Sequence, residues 1–198
     1  MPSSVGHALA GVAAAWTADL VPGDRAWRTG PPQASWYRRA GNGLTALCAA
    51  LAAAPDLDLL LHTHRSYTHS IGAVALTGLV AAVVATRHHQ PVARVVSMCA
   101  AAYATHLALD WVSADTLPPY GLQMWWPFSN GWFISGWDLF RQTERHNFFS
   151  AASFRTNALA LMQEVAILAP PLLLLWLVRV KALARLPSEV SRRDHAAK

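Results

Sequence analysis

Residues 165–178 read VAILAPPLLLLWLV, fourteen positions without a charge and rich in leucine, and this stretch decides the class of fold. The wider apolar segment from 158 to 178, whose one charged residue is Glu164, has about the length of roughly 20 residues that a membrane-crossing helix needs. Pro170-Pro171 predicts a kink or local break inside it. Working towards the N-terminus, further apolar segments lie at 92–112, 70–86, 43–61 and 5–21, the last of these the weakest because Asp19 and several small residues dilute it. The chain of 198 residues is 54% hydrophobic and only 14% charged, which fits a single domain of buried or lipid-facing helix and leaves no room for a second. The expected fold is therefore all-α, a polytopic membrane helical bundle of about four to five transmembrane helices over residues 1–180, followed by a basic cytoplasmic tail at 181–198.

The net charge of +5 would suggest nucleic acid in a soluble protein. Here the basic residues sit between and after the apolar runs, so they read as orientation signals and no nucleic-acid partner is expected. With five spans, twelve of the sixteen Lys and Arg fall on one side: Arg25, Arg28, Arg38 and Arg39, then Arg87 and Arg94, then the six from Arg179 to Lys198. Arg65, Arg141, Arg145 and Arg155 fall on the other. The positive-inside rule then places the C-terminus in the cytoplasm and the N-terminus outside a cytoplasmic (inner) membrane. The apolar stretch from Val5 to Trp16 has no Lys or Arg before it and makes a poor secretory signal. Cys48 and Cys99 lie within apolar runs and read as packing residues rather than thiolate ligands. Between 113 and 157 the aromatics Trp125, Trp126, Phe128, Trp132, Phe133, Trp137, Phe140, Phe148 and Phe149 crowd the longest polar connection, as in an interfacial belt.

The polar residues are not evenly spread. Asp56 and Asp58 close the second run, His69 opens the third, and His106 with Asp110 closes the fourth, so in an alternating bundle all converge on one layer towards the outer face. His106 and Asp110, four apart on a helix, share a face. Asp56 and Asp58 are two apart, and Pro55 is expected to open a short extended turn that lets both face inward. Thr68 or Ser70 is placed to cap the third helix beside His69. A carboxylate at membrane depth costs about 2.5 to 3.5 kcal/mol on insertion scales, so three of them need partners, and a divalent cation satisfies them together. Mixed imidazole and carboxylate donors favour zinc, with manganese or iron as alternatives. His62, His88, His89 and His195 lack matching acids and read as packing or solvated residues.

These pieces together, His7-Ala8-Leu9-Ala10-Gly11, Pro55-Asp56-Leu57-Asp58, His64-Arg65 with Thr68-His69-Ser70, His106 through Asp110, and Trp126-Pro127-Phe128-Ser129, resemble the membrane-bound metal-dependent hydrolases described as LexA-regulated and YdjM-like. The resemblance covers residues 7 to 129. It implies a helical inner-membrane protein with metal-dependent hydrolase activity, and it adds His7 and His64 to the expected metal residues. The expected ligands are then His7, Asp56, Asp58, His64, His69, His106 and Asp110. Hydrolysis by a metal-activated water is the leading expectation. Arg65 is expected to stabilise the developing anion, His64 to ligate or transfer a proton, and Glu164, on one helical face with Asn157, to act as general base or supporting partner. A site level with the outer headgroups and ringed by aromatics points to membrane lipids as surroundings and to an amphiphilic or lipid-linked phosphoester as substrate. Two rival readings use the same residues, a metal-ion transporter and a non-catalytic scaffold stapled by metal.

Overall fold

The computed structural model describes residues 2–18, 20–21, 40–61, 64–144 and 150–184. Arg25, Arg28, Arg38, Arg39, Asp19, His62, Arg145, Phe148, Phe149, His195 and the tail beyond 184 lie outside them. Among the described residues five α-helices follow in order: α1 Ser4–Ala18, α2 Gly43–Ala53, α3 Ile71–Arg87, α4 Val92–Trp111 and α5 Ala151–Ala184. No strand occurs among the described residues, only an isolated antiparallel bridge between Leu122 and Phe133.

Local chemistry sets the helix starts. Asn42 caps α2, its side chain accepting from the backbone N–H of Leu44 and Thr45, and Thr45 answers in a capping box. Ser70 caps α3 by accepting from Ala73 N at 3.1 Å. The second apolar run, expected to continue to residue 61, changes character after Ala53, where Ala54–Leu61 forms a 3₁₀ helix. Pro55 thus opens a tighter helix rather than an extended turn. The break expected at Pro170-Pro171 does not occur, and α5 runs unbroken through both and on to Ala184. Each proline deletes only its own N–H bond, and the residues on either side keep the helical register.

Helix α4 is the central post, touching α1, α2 and α3, while α5 packs on α1. Ala15, Cys48, Met98 and Ala102 join α1, α2 and α4 in one buried cluster, and Ala81, Ala85, Val95 and Cys99 join α3 to α4 in another. Both cysteines are free and buried. Helices α1 and α5 run parallel: Glu164 meets Ser3 at one end and Arg179 lies over the Trp16 ring at the other. At that far end Arg94 Nη2 donates to the Ala18 carbonyl at 2.7 Å, a cation on the negative end of the α1 dipole.

Two helices, Val92–Trp111 and Ala151–Ala182, are long and apolar enough to cross a membrane, and Ile71–Arg87 is a shorter apolar one. Helix α5 carries few buried residues, with Leu173, Leu174, Leu177 and Val178 all exposed along it, and α3 exposes Leu76, Leu79 and Val80. Faces of that kind match a hydrocarbon surround rather than water.

At Gly11 the backbones of α1 and α2 approach closely. A Cβ there would stand 2.4 Å from the Cys48 carbonyl oxygen and 2.7 Å from Ala52 Cβ. Gly11→Val is therefore expected to destabilise the bundle by about 1–3 kcal/mol, as overpacking does. A thermal melt of the detergent-solubilised variant checks this, and an unchanged midpoint would mean that the helices are not held so close.

Candidate metal centre

Four chain segments end in one layer. His7 stands in the first turn of α1, Asp56 and Asp58 on the 3₁₀ helix after α2, His69 at the end of the short 3₁₀ turn Tyr67–His69 before α3, and His106 with Asp110 in the last turns of α4. The Ser70 cap and a bond from Tyr103 Oη to the Thr68 carbonyl, 2.8 Å long, fix the His69 backbone. Glu164 accepts from Ser3 N at 2.7 Å and from Ser3 Oγ at 2.5 Å, holding the start of α1 and with it His7 one turn on. His7, His69, His106 and Glu164 are wholly buried.

The imidazoles are oriented from behind. His106 Nδ1 lies 2.7 Å from the Ala52 carbonyl oxygen, which can only accept, so this nitrogen carries the proton and Nε2 presents a lone pair. His69 Nδ1 lies 3.2 Å from Asp58 Oδ2, which leaves its Nε2 bare in the same way. These two Nε2 atoms then face each other at 2.9 Å. Asp110 Oδ2 is 3.1 Å from His106 Nε2 and 3.4 Å from His69 Nε2, and Asp56 Oδ1 is 3.8 and 3.9 Å from the same atoms. The other Asp110 oxygen, Oδ1, is 3.3 Å from His7 Nε2, and the His7 and His106 rings stack with centroids 3.7 Å apart.

Two lone pairs and two carboxylate oxygens pointing at one volume repel unless something positive lies between them. The unsatisfied groups agree: both nitrogens of His7, Asp56 Oδ1 and both oxygens of Asp110 are buried with no hydrogen-bond partner. Donors about 2.0–2.2 Å from a tetrahedral ion are roughly 3.3 to 3.6 Å apart, and about 3 Å apart around an octahedral one. The observed separations of 2.9–3.9 Å span that range. The residues fit a divalent cation, with His69, His106, Asp110 and Asp56 as one donor set. His7, His106 and Asp110 form one compact group of donors, and Asp56, His64 and His69 a second.

Asp58 stands on the other side of the His69 ring. Its Oδ1 meets His64 Nδ1 at 2.7 Å, and its Oδ2 accepts from Arg65 N at 3.1 Å and Thr68 Oγ1 at 2.6 Å. Burial works against its charge, but the bonds from His64, His69 and Thr68 win and hold its carboxyl below the usual carboxylate range. Burial likewise pushes the His69 imidazole down, towards the neutral form that ligation requires. With both oxygens engaged by protein, Asp58 sits where it orients two imidazoles rather than where it would ligate beside Asp56. Asp58→Asn is expected to weaken metal affinity by about 10- to 100-fold, the usual cost of losing a partner behind a ligand. Competition titration with a chromophoric chelator measures it, and unaltered affinity would count against this orienting role.

Arg65 is turned away. Its guanidinium pairs with Asp115 and donates to the Leu117 carbonyl, so the expected role on a developing anion does not fit its placement. Only its backbone, at φ 67°, serves the cluster through the bond to Asp58. Both oxygens of Glu164 are engaged by Ser3, where the carboxylate supports the start of α1. Sequence reasoning passed over Asp115, which also accepts from Gly121 N at 2.7 Å and ties the 115–121 loop to Arg65. Its signal was an acid just past the His106–Asp110 helix, matched in number by the one arginine in the His64–His69 segment.

Residues 1–184 match the family model described as YdjM inner membrane protein. No curated protein and no solved structure matches the chain.

Proposed function

The chain belongs to the YdjM inner membrane protein family, and from that premise we propose that it is a metal-dependent hydrolase of amphiphilic phosphoesters, working at the outer face of the membrane. In this reading α1 to α5 all cross the bilayer, the 3₁₀ turns and the aromatic 113–144 connection lie at its outer surface, and the basic tail lies in the cytoplasm. The alternation of helix ends at the cluster and the bias of basic residues to the opposite side support that arrangement.

The observation that carries the proposal is the set of four donor atoms from three separate segments, aimed at one point with buried oxygens left unpaired. Zinc is the first expectation, with manganese or iron as alternatives. A bound divalent cation supplies Lewis acidity and brings the pKa of water towards about 7. The chain's own residues do the rest. His69, His106, Asp110 and Asp56 hold the ion, His7 backs the second oxygen of Asp110, and Asp58 fixes the tautomer of His69. His64, the least buried of these imidazoles, is paired through Nδ1 with Asp58 as in a carboxylate–imidazole dyad and is the group assigned to proton transfer.

A cavity favours catalysis over a closed metal staple. A space of about 630 Å³, within the usual range of ligand sites, is lined by Asp56 and opens beside the cluster. Purified full-length protein, stripped by chelator and reloaded with zinc or manganese, is expected to hydrolyse one or more members of a phospholipid and phosphodiester panel only when metal is present. Equal turnover with and without metal would overturn the proposal.

A further inference from the structure

The cavity beside Asp56 combines polar lining residues, Ser3, Ser4, Thr143, Glu144 and Asn157 besides Asp56 itself, with an apolar wall. Its wall is Val5 of α1, Leu59 of the 3₁₀ helix and Phe154, Ala158 and Leu161 of α5. The three α5 residues are spaced by four and three, so they form one stripe along the helix. Phe154 is 74% exposed and Leu161 37%, so the stripe is open along its length rather than sealed in the core. The same helix exposes Met162, Val165 and Leu173 beyond it. The apolar wall is therefore continuous with the surface that α5 turns to hydrocarbon, and a hydrocarbon chain laid along it removes that wall from water. Asp56 lines the same space, and its Oδ1 is buried, unpaired and directed at the two imidazole Nε2 atoms.

We infer that this groove is the binding site for one hydrocarbon chain of an amphiphile whose phosphoester head lies at Asp56, with Ala158 as the residue that sets how much chain is accepted. The inference rests on the metal-centre reading for the head and on the groove alone for the chain. Ala158 carries the smallest side chain on the stripe, midway between Phe154 and Leu161, so enlarging it narrows the groove at its middle.

The test uses the full-length protein in lipid nanodiscs and dodecyl phosphate carrying a diazirine at the chain end, with labelled peptides located by mass spectrometry. Label is expected on Val5, Leu59 and the 154–161 stretch in excess over the bilayer-facing Leu76 and Leu173. Ala158→Trp is expected to lower the groove label by about tenfold, and Ala158→Leu by less, while bound metal stays at the wild-type level. Ala158→Leu keeps the test standing if the tryptophan variant fails to fold. Label spread evenly over groove and bilayer-facing residues, or indifferent to both substitutions in metal-loaded protein, would overturn the groove. A wild-type protein that binds no metal yet labels as described would overturn the hydrolase reading and leave the groove intact.

Discussion

Asp110→Ala is expected to reduce bound metal to a small fraction of the wild-type level and to lower metal-dependent turnover by more than the roughly 10- to 100-fold that loss of a supporting partner costs. Asp110 is the hinge of the cluster: Oδ2 lies within 3.4 Å of two imidazole Nε2 atoms and Oδ1 lies 3.3 Å from a third imidazole. Removing it takes away the negative charge that three histidines face, and leaves His69 Nε2 and His106 Nε2 opposed at 2.9 Å. Asp110→Asn keeps the volume but drops the charge and one acceptor, so it should fall between the two. His7→Ala removes the contact with Oδ1 and the ring stacked on His106 but none of the four close donors, so it should lose less metal than either. Elemental analysis of the purified variants with turnover on the same samples checks the order, and full metal retention in Asp110→Ala would remove the site as described.

His64→Gln should separate chemistry from metal binding. If His64 moves the proton, its loss costs about 10²- to 10⁴-fold in kcat, the usual contribution of a positioned acid or base. Metal content should change little, because the four close donors do not include His64. Glutamine can still bond Asp58, so the orientation of His69 through Asp58 Oδ2 survives. A variant that loses metal and kcat together would instead make His64 a ligand.

Much of this site was legible because its members lie at helix ends. Apolar runs of known length alternate in direction, so His7, Asp56, His69 and Asp110 had to share a side once the runs were marked. The i, i+4 spacing of His106 and Asp110 needed nothing beyond helical geometry. What could not be read was the side of each ring on which a carboxylate would stand. Asp56 and Asp58 look equivalent in sequence, yet a 3₁₀ turn sends one to Nε2 of His69 and the other to Nδ1. Arg65 misled for a related reason. Its partner Asp115 lies in a connection without periodicity, where no spacing rule links the two. The number of spans is also less visible in the coordinates than in the hydropathy, because α1 has 15 residues and α2 only 11 before its 3₁₀ extension.

The proposed chemistry requires a cation held by imidazole and carboxylate at the meeting point of α1, α3, α4 and the 3₁₀ turn. X-ray absorption at the metal edge, on full-length protein purified without added metal and on Asp110→Ala, tests this most directly. The expected result is bound metal with nitrogen and oxygen donors near about 2.0–2.2 Å, including imidazole and no sulfur, and loss of that signal in the variant. A metal-free protein, or a shell identical in both samples, would contradict it.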